Sequence, residues 1–587
     1  MSIHSTSEVV ANADTLEDIE LSGRITVPTE PNNVQHEVKT NGTAHVNDID
    51  SNGSRPREEL DVLVIGAGFS GCYALHKLRK LGLKVKICEA GSGYGGCWYW
   101  NRYPGVAVDS EIPLYQFSQY ETYQDWYWKE RFPGGAEIRD YFNHLADVWD
   151  LRKDTVFDTL VTKVWHEGGR WTSTTNSNIT FTSKFVVAAS GSSHKRYLPS
   201  WPGIQQYGGK IYHSASYPHE GLDVTNKAIA VIGNGASGVQ ILQTLAKEDC
   251  QLTAFIRQPA INLPMGQSRP SVADQKAGRG FVQALLDHCK LTGTGFPYAS
   301  LPGSYHDATE QERTKAWDEL LDRGGFQYLM CNYREWVLDT KVNKVVYDYW
   351  RRKTEGRVKD VAKRNIVCPV VQPYYMGTKR SNLERDYYES IDRPNVELVN
   401  LKETPIKEFT TTGITTVDGK TRHFDVVLLA TGYDNVTGSL MDLNISDKHG
   451  VTLKEKWKDG VYTSLGICVP DMPNFFMMYS PQSPSQLSNG PPCIEIQGDW
   501  ICEAIKKMND QGIATMEGNA EAARTWREGI QEMHKQTLFP FTESWYTGAN
   551  IPGKLVEQLV YLGGVNKYKE ILDDALDGWK GFDTSQV

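Results

Sequence analysis

Twice in this chain a short apolar run passes straight into Gly-x-Gly-x-x-Gly and then into a helical pattern, and no other feature restricts the fold as much. The first unit reads Leu60-Asp61-Val62-Leu63-Val64-Ile65, then Gly66-Ala67-Gly68-Phe69-Ser70-Gly71, then a helix-like stretch at 73–81. A second strand at 84–88 ends at Glu89, 18 residues past Gly71. The second unit repeats the plan: a strand at 228–232, Gly233-Asn234-Gly235-Ala236-Ser237-Gly238, a helix to Lys247 and a strand at 252–256. Glycines at these positions permit the tight turn and let a pyrophosphate approach the backbone at a helix N-terminus. A lone copy of the motif is a weak signal. Each copy here sits between strand and helix, where the chemistry needs it. The predicted fold class is α/β, with two Rossmann-like dinucleotide-binding domains.

The two units differ at the end of their second strand. Glu89 suits ribose hydroxyls and would repel a 2′-phosphate, whereas Arg257 can grip that phosphate with paired, charge-assisted hydrogen bonds. The first unit therefore reads as FAD-binding through Gly66, Gly68, Gly71 and Glu89. The second reads as NADP-binding through Gly233, Gly235, Ala236, Ser237, Gly238 and Arg257.

Around these units the chain divides by composition. Residues 1–57 are polar and poor in aromatics, and they read as a disordered extension that cannot offset its ordering entropy by burial. The predicted domains are 58–195 and 425–587 for FAD, and 196–264 and 371–424 for NADP. A helical insertion at 265–370 is expected from the charge-rich stretches 309–321 and 334–364, which are nearly free of Gly and Pro. A helix is also expected at 137–150 and a buried strand at 185–189. Another strand at 424–430 enters Thr431-Gly432-Tyr433-Asp434, a turn expected to close back onto the first unit.

Net charge is -10, which argues against a nucleic-acid partner. No apolar run approaches the ~20 residues of a membrane helix, and no secretory signal is visible. Ten cysteines without a C-x-x-C or zinc-like pair predict free thiols, no metal and a cytoplasmic setting.

The stretch 95–109, Gly-Gly-Cys-Trp-Tyr-Trp-Asn-Arg-Tyr-Pro-Gly-Val-Ala-Val-Asp, has neither helical nor strand period. Paired glycines, four aromatics and an arginine on an irregular loop suit a flat heterocycle with polar edges, and the alternative is a packed aromatic loop. Two dinucleotide units in one chain narrow the chemistry to hydride transfer between nicotinamide and flavin.

Here the sequence resembles the single-chain Baeyer–Villiger monooxygenases, from about residue 58 to the C-terminus. One signature of that family is met by Gly96, Trp98, Tyr103, Pro104, Gly105 and Asp109, and another by Tyr207, Gly209, His213, Tyr217 and Pro218. Gly377-Thr378-Lys379-Arg380 resembles the family's active-site arginine segment, and residues 544–550 its C-terminal loop. The resemblance implies an enzyme that uses FAD, NADPH and O₂ to convert a ketone to an ester or lactone through a C4a-peroxyflavin. It implies Arg380, Asp109 and His213 as catalytic residues, with Asp109 orienting Arg380. Gly96, Cys97, Trp98, Tyr99, Trp100, Asp109 and Tyr115 are implied at FAD, and Ala107, Val108, Gln258, Lys379 and Trp545 at NADP. His213 reads either as a hinge residue or as a histidine satisfying a backbone carbonyl, and Trp545 either as a donor to cofactor or substrate or as a core residue.

Tyr207 and Tyr217 stand where the family has Phe and Trp, which leans towards the related N- and S-oxidising flavin monooxygenases. A disulfide reductase would need a redox cysteine pair. A non-catalytic nucleotide-binding protein would purify colourless. The polar head and the helical insertion resemble larger, fungal-looking members of the family, and that resemblance implies a bulky hydrophobic ketone.

Overall fold

The computed structural model describes residues 57–586. The expected disordered extension thus lies outside the described residues, apart from Arg57. Strand β1 (Arg57–Ile65) is buried on both faces from Val62 onward and leads into helix α1 (Phe69–Arg79) and strand β2 (Val85–Cys88). Helix α2 (Gly135–Val148) follows, then β3 (Thr155–Val156). An antiparallel meander, β4 (Val161–Glu167), β5 (Arg170–Thr175) and β6 (Thr180–Ala188), returns the chain to β1. In the sheet β1 lies between β6 and β2, parallel to both, with β3 beyond β2.

The second sheet opens with β7 (Lys210–His213) and β8 (Lys227–Ile232), followed by helix α3 (Ala236–Leu245) and β9 (Cys250–Ile256). Between β9 and the next strand of this sheet lie helices α4 (Val272–Cys289), α5 (Glu310–Arg323) and α6 (Thr340–Glu355). The chain then supplies β10 (Val396–Asn400) and β11 (Val426–Leu429). The order β10-β9-β8-β11-β7 is parallel throughout.

The helix-compatible stretch 334–364 holds more than one helix, and one predicted boundary moves. Asp339 accepts the amides of Lys341 and Val342 and starts α6, and Asp360 caps a separate short helix, Val361–Val367. An N-cap aspartate satisfies amides that a continuing helix would otherwise bond, so it begins a helix at its own position. The strand near 424–430 belongs to the second sheet, paired with β8 and β7, so the chain's second crossing between the units, predicted at 424/425 after a first at 195/196, follows this strand rather than precedes it. Its glycine turn then meets the first crossing: Tyr197 N–H donates to Gly432 O at 2.9 Å and Asp434 N–H to Lys195 O at 2.9 Å.

Helix α7 (Gly490–Asp510) lies against α1. A Cβ on Gly498 would come within 2.5 Å of the Tyr73 ring, so glycine sets that close approach. The insertion also reaches the first unit. Lys290, just past α4, pairs with the buried Glu495 of α7 at 2.6 Å, and Thr294 O accepts the amide of Asn489. Among the described residues no helix is long and apolar enough to cross a membrane, and all ten cysteines are free thiols.

Candidate active site

The first and last glycine of each unit sit where backbone meets backbone. Gly66 has φ +103°, and a Cβ on Gly71 would stand 1.8 Å from Gly66 O. In the second unit Gly233 has φ +111°, and a Cβ on Gly238 would stand 2.2 Å from Gly233 O. Neither α1 nor α3 has a side-chain cap or an acid in its first turn, so their leading amides and positive dipole ends suit a pyrophosphate. Glu89 is buried, accepting the amides of Ala67 at 2.7 Å and Gly91 at 2.8 Å. Burial raises its pKa, and those amides oppose the rise. The residues present thus fit two dinucleotides.

The 95–109 stretch serves three contacts rather than one. Cys97–Trp100 forms a single helical turn, short enough to escape a periodicity search. Gly96 faces Gly68 so closely that a Cβ on Gly96 would lie 3.0 Å from Gly68 Cα. Behind it the Trp98 indole N–H donates to the Tyr115 hydroxyl at 3.0 Å, and the Tyr99 hydroxyl pairs with Ser92. Trp100 packs edge-on against Tyr99. The middle of the stretch docks on α3. The Tyr103 hydroxyl donates to Gln240 Oε1 at 2.9 Å, and Gln240 Nε2 donates to Ala107 O at 3.0 Å. Gly105 has φ +80°, and a Cβ there would lie 2.2 Å from Thr244 Oγ1. Val108 is buried beside this contact. The packed-loop reading and the binding reading therefore each describe part of the stretch.

Its last residue, Asp109, meets Arg380 across 271 residues of sequence. Arg380 Nε donates to Oδ2 at 2.7 Å and Nη2 to Oδ1 at 2.9 Å, a planar fork on a carboxylate. Arg380 Nη1 donates to Gln486 O at 2.7 Å, and the Phe326 ring centroid lies 4.9 Å from the guanidinium carbon. Burial works against the charge of Arg380, but Asp109 more than offsets it and holds the pKa above its ordinary value. Tyr479 and Tyr546 interact with the same guanidinium; burial pushes the Tyr546 phenol up to about 12. Trp545 packs on Tyr546 with ring centroids 4.0 Å apart.

Arg257, Gln258 and Lys379 form a second cluster. Gln258 Oε1 accepts from Lys379 Nζ, while Gln258 Nε2 donates to Pro373 O at 3.0 Å. Burial lowers the Lys379 pKa to about 8, with the Arg257 charge adding to the shift. Two neighbouring cations suit an anion, and Gln258 holds one of them in place.

His213 ends β7, fully buried. Its Nδ1 accepts the Ala215 amide at 3.1 Å, so Nε2–H donates to Gly432 O at 3.0 Å. Burial, with Arg196 adding, lowers its pKa to about 4, so the ring is neutral and ties the two crossings together. Tyr207 has a structural reason: its hydroxyl donates to Phe424 O at 2.8 Å, and a Cβ on Gly209 would strike its hydroxyl at 2.5 Å. Tyr217 is buried in the core of the second unit. The pair therefore belongs to packing, and the lean towards heteroatom oxidation loses its support.

The sequence missed Phe326, Gln486 and Tyr479. Gln486 lies in the Pro/Ser/Gly-rich 480–492 loop, which was a visible signal; Phe326 and Tyr479 carried none. Among the described residues no group of three or more His, Cys, Asp or Glu could hold a metal ion.

Residues 60–274 match the pyridine nucleotide-disulphide oxidoreductase family profile. Over 528 residues the chain is 38% identical to cyclopentanone 1,2-monooxygenase of Comamonas sp., covering 89% of this chain and 96% of that one. It is 35% identical over 521 residues to a Baeyer–Villiger monooxygenase of Pseudooceanicola batsensis, covering 88% and 94%. The solved structure of an oxidized steroid monooxygenase bound to NADP superposes with a TM-score of 0.85 at 35% identity, covering 90% of this chain and 100% of that chain.

Proposed function

Because the chain belongs to the FAD- and NADPH-dependent Baeyer–Villiger monooxygenases, we propose that Arg380 and Asp109 form its oxygenating centre and that its substrate is a hydrophobic ketone. The enzyme inserts one atom of O₂ next to a ketone carbonyl to give an ester or lactone. Bound FAD, reduced by NADPH, supplies the activated oxygen.

The observation that carries the reading is the Arg380–Asp109 fork. Attack on a carbonyl builds negative charge on oxygen, and a fixed cation in a water-poor site stabilises it. A guanidinium keeps its proton there, and Asp109 fixes its plane while leaving Nη1 on a backbone carbonyl. Phe326 lies against the guanidinium and Tyr546 beside it, and the pair keeps 27% and 32% of its side-chain surface open for a substrate to cover. We read His213 as a positioning residue that ties the crossing strands, and Trp545 as a wall of the same centre. The free thiols suit a reducing compartment, and we propose the cytoplasm. NADPH consumption over ketones from cyclopentanone to steroid size, with parallel sulfides, tests the substrate reading. Turnover of sulfides alone would remove it.

Cofactor choice is expected to rest on Arg257 and Lys379. Losing one charge-assisted phosphate contact costs about 1.5–3 kcal/mol, so Arg257→Ala should lower the NADPH to NADH preference in kcat/KM by about tenfold or more. Lys379 adds a pH dependence. In the free enzyme it loses its proton as pH rises through about 8, with Glu543 opposing and Lys402 favouring that loss. The kcat/KM for NADPH should therefore fall above pH 8 while that for NADH stays level, and Lys379→Met should flatten the profile. Equal profiles for both nucleotides would contradict this.

If the His213–Gly432 tie keeps the second unit seated during turnover, His213→Ala should release severalfold more hydrogen peroxide per NADPH consumed, because water exclusion protects reactive oxygen chemistry. Unchanged coupling would leave His213 a packing residue only.

A further inference from the structure

On the far side of the 109–117 segment, helix α4 covers a cavity of about 200 Å³. Its walls are aromatic, from Tyr123, Trp126 and Trp128 on one side and Phe281 on the helix. Gln275 holds the two sides together, its Oε1 accepting the Trp128 amide at 2.9 Å and its Nε2 donating to Trp128 O at 2.7 Å.

What sets the cavity apart is its polar groups. Trp126 Nε1 and Arg279 Nη1 are both buried and make no hydrogen bond among the described residues. Arg279 Nη2 donates to Trp126 O at 3.1 Å, and the guanidinium lies 4.6 Å from the Tyr127 ring centroid. Aromatic faces hold that cation, and no Asp or Glu among the described residues forms an ion pair with it. Gln116 is 3% exposed, and its Oε1 already accepts the Trp128 indole N–H at 2.7 Å, so its free amide end can only donate. A buried donor without a partner costs about 1–3 kcal/mol, more when charged. Two such donors on neighbouring residues, one charged, in an aromatic-walled space call for a ligand that brings acceptors and negative charge.

We propose that this cavity is a second ligand site, separate from the oxygenating centre, that takes a small carboxylate with an apolar or aromatic body. Both donor atoms are closed off from the cavity as the side chains stand, so Arg279 and Trp126 turn towards it for the carboxylate to accept from Nη1 and Nε1, and the body lies among Tyr123, Trp128 and the largely exposed Phe281 at the rim. A cavity of about 150 Å³ takes a benzene ring, so about 200 Å³ sets a ligand near the size of benzoate. Such a ligand bridges α4 of the insertion and the first unit, alongside the Lys290–Glu495 pair.

Isothermal titration of the FAD-loaded enzyme with benzoate tests this, with benzyl alcohol as the neutral probe of similar body. Saturable benzoate binding is expected, with benzyl alcohol at least tenfold weaker. Arg279→Met should weaken benzoate by tenfold or more and Trp126→Phe severalfold, both with flavin content as in the wild type. Arg380→Ala should bind benzoate as the wild type does. The proposal is overturned if benzoate shows no saturable binding, if it binds Arg279→Met as well as the wild type, or if Arg380→Ala abolishes binding.

Discussion

Arg380→Ala should lower ester formation by on the order of 10²-fold or more while flavin stays bound and NADPH is still consumed, now with peroxide as the product. We place the flavin cradle in the first unit, at Gly66 to Gly71 and Glu89, and the Arg380 guanidinium bonds to Asp109 and Gln486 rather than to those residues. What the variant loses is the fixed cation beside the carbonyl under attack, and one strong oxyanion donor is worth about 3–4 kcal/mol. Arg380→Lys should recover little, because a point charge cannot fork onto Asp109 while also reaching Gln486 O. Anaerobic flavin reduction measured beside aerobic ester formation in one preparation separates the two steps. Ester formation near the wild-type rate would take Arg380 out of the chemistry.

Gly71→Ala should yield protein with little flavin. The added methyl would stand 1.8 Å from Gly66 O and 2.9 Å from its carbon, so either the turn opens or α1 shifts. Overpacking costs about 1–3 kcal/mol or more, and here it displaces the amides that face the pyrophosphate. Flavin affinity should fall on the order of 10²-fold, read as the ratio of flavin to protein absorbance after gel filtration. The helix itself should survive, with the far-ultraviolet circular dichroism of the wild type. Wild-type flavin content would mean that the close approach at Gly71 does not govern the site.

The parts of this site that were legible in the sequence are local ones. Strand, glycine turn and helix follow one another within about twenty residues, and each glycine answers a constraint that its own neighbours impose. Asp109 and Arg380 could be named because each closes a compact segment that resembles a known family. Phe326 could not, since nothing near it in sequence says that its ring lies against a guanidinium brought in by another segment. The strand at 426–429 was visible, but apolar composition does not say which sheet a buried strand will join. Its partners, β7 and β8, come from more than 190 residues earlier. The helix start at Asp339 is set locally, by a side chain that accepts the amides of Lys341 and Val342. The docking of Tyr103 and Gly105 on α3 shows why an aromatic loop resists a single reading. Its residues answer to a cradle, a neighbouring helix and a distant arginine at once.

The central claim is that this chain places one oxygen atom of O₂ beside a ketone carbonyl, with Arg380 and Asp109 at the centre. Turnover of a ketone substrate under ¹⁸O₂ with NADPH, followed by mass spectrometry of the product, tests it most directly. The account predicts an ester or lactone carrying one ¹⁸O at the ring or chain oxygen, with the carbonyl oxygen unlabelled. Consumption of NADPH across the ketone panel with no labelled ester, or label appearing only in sulfoxide, would contradict it.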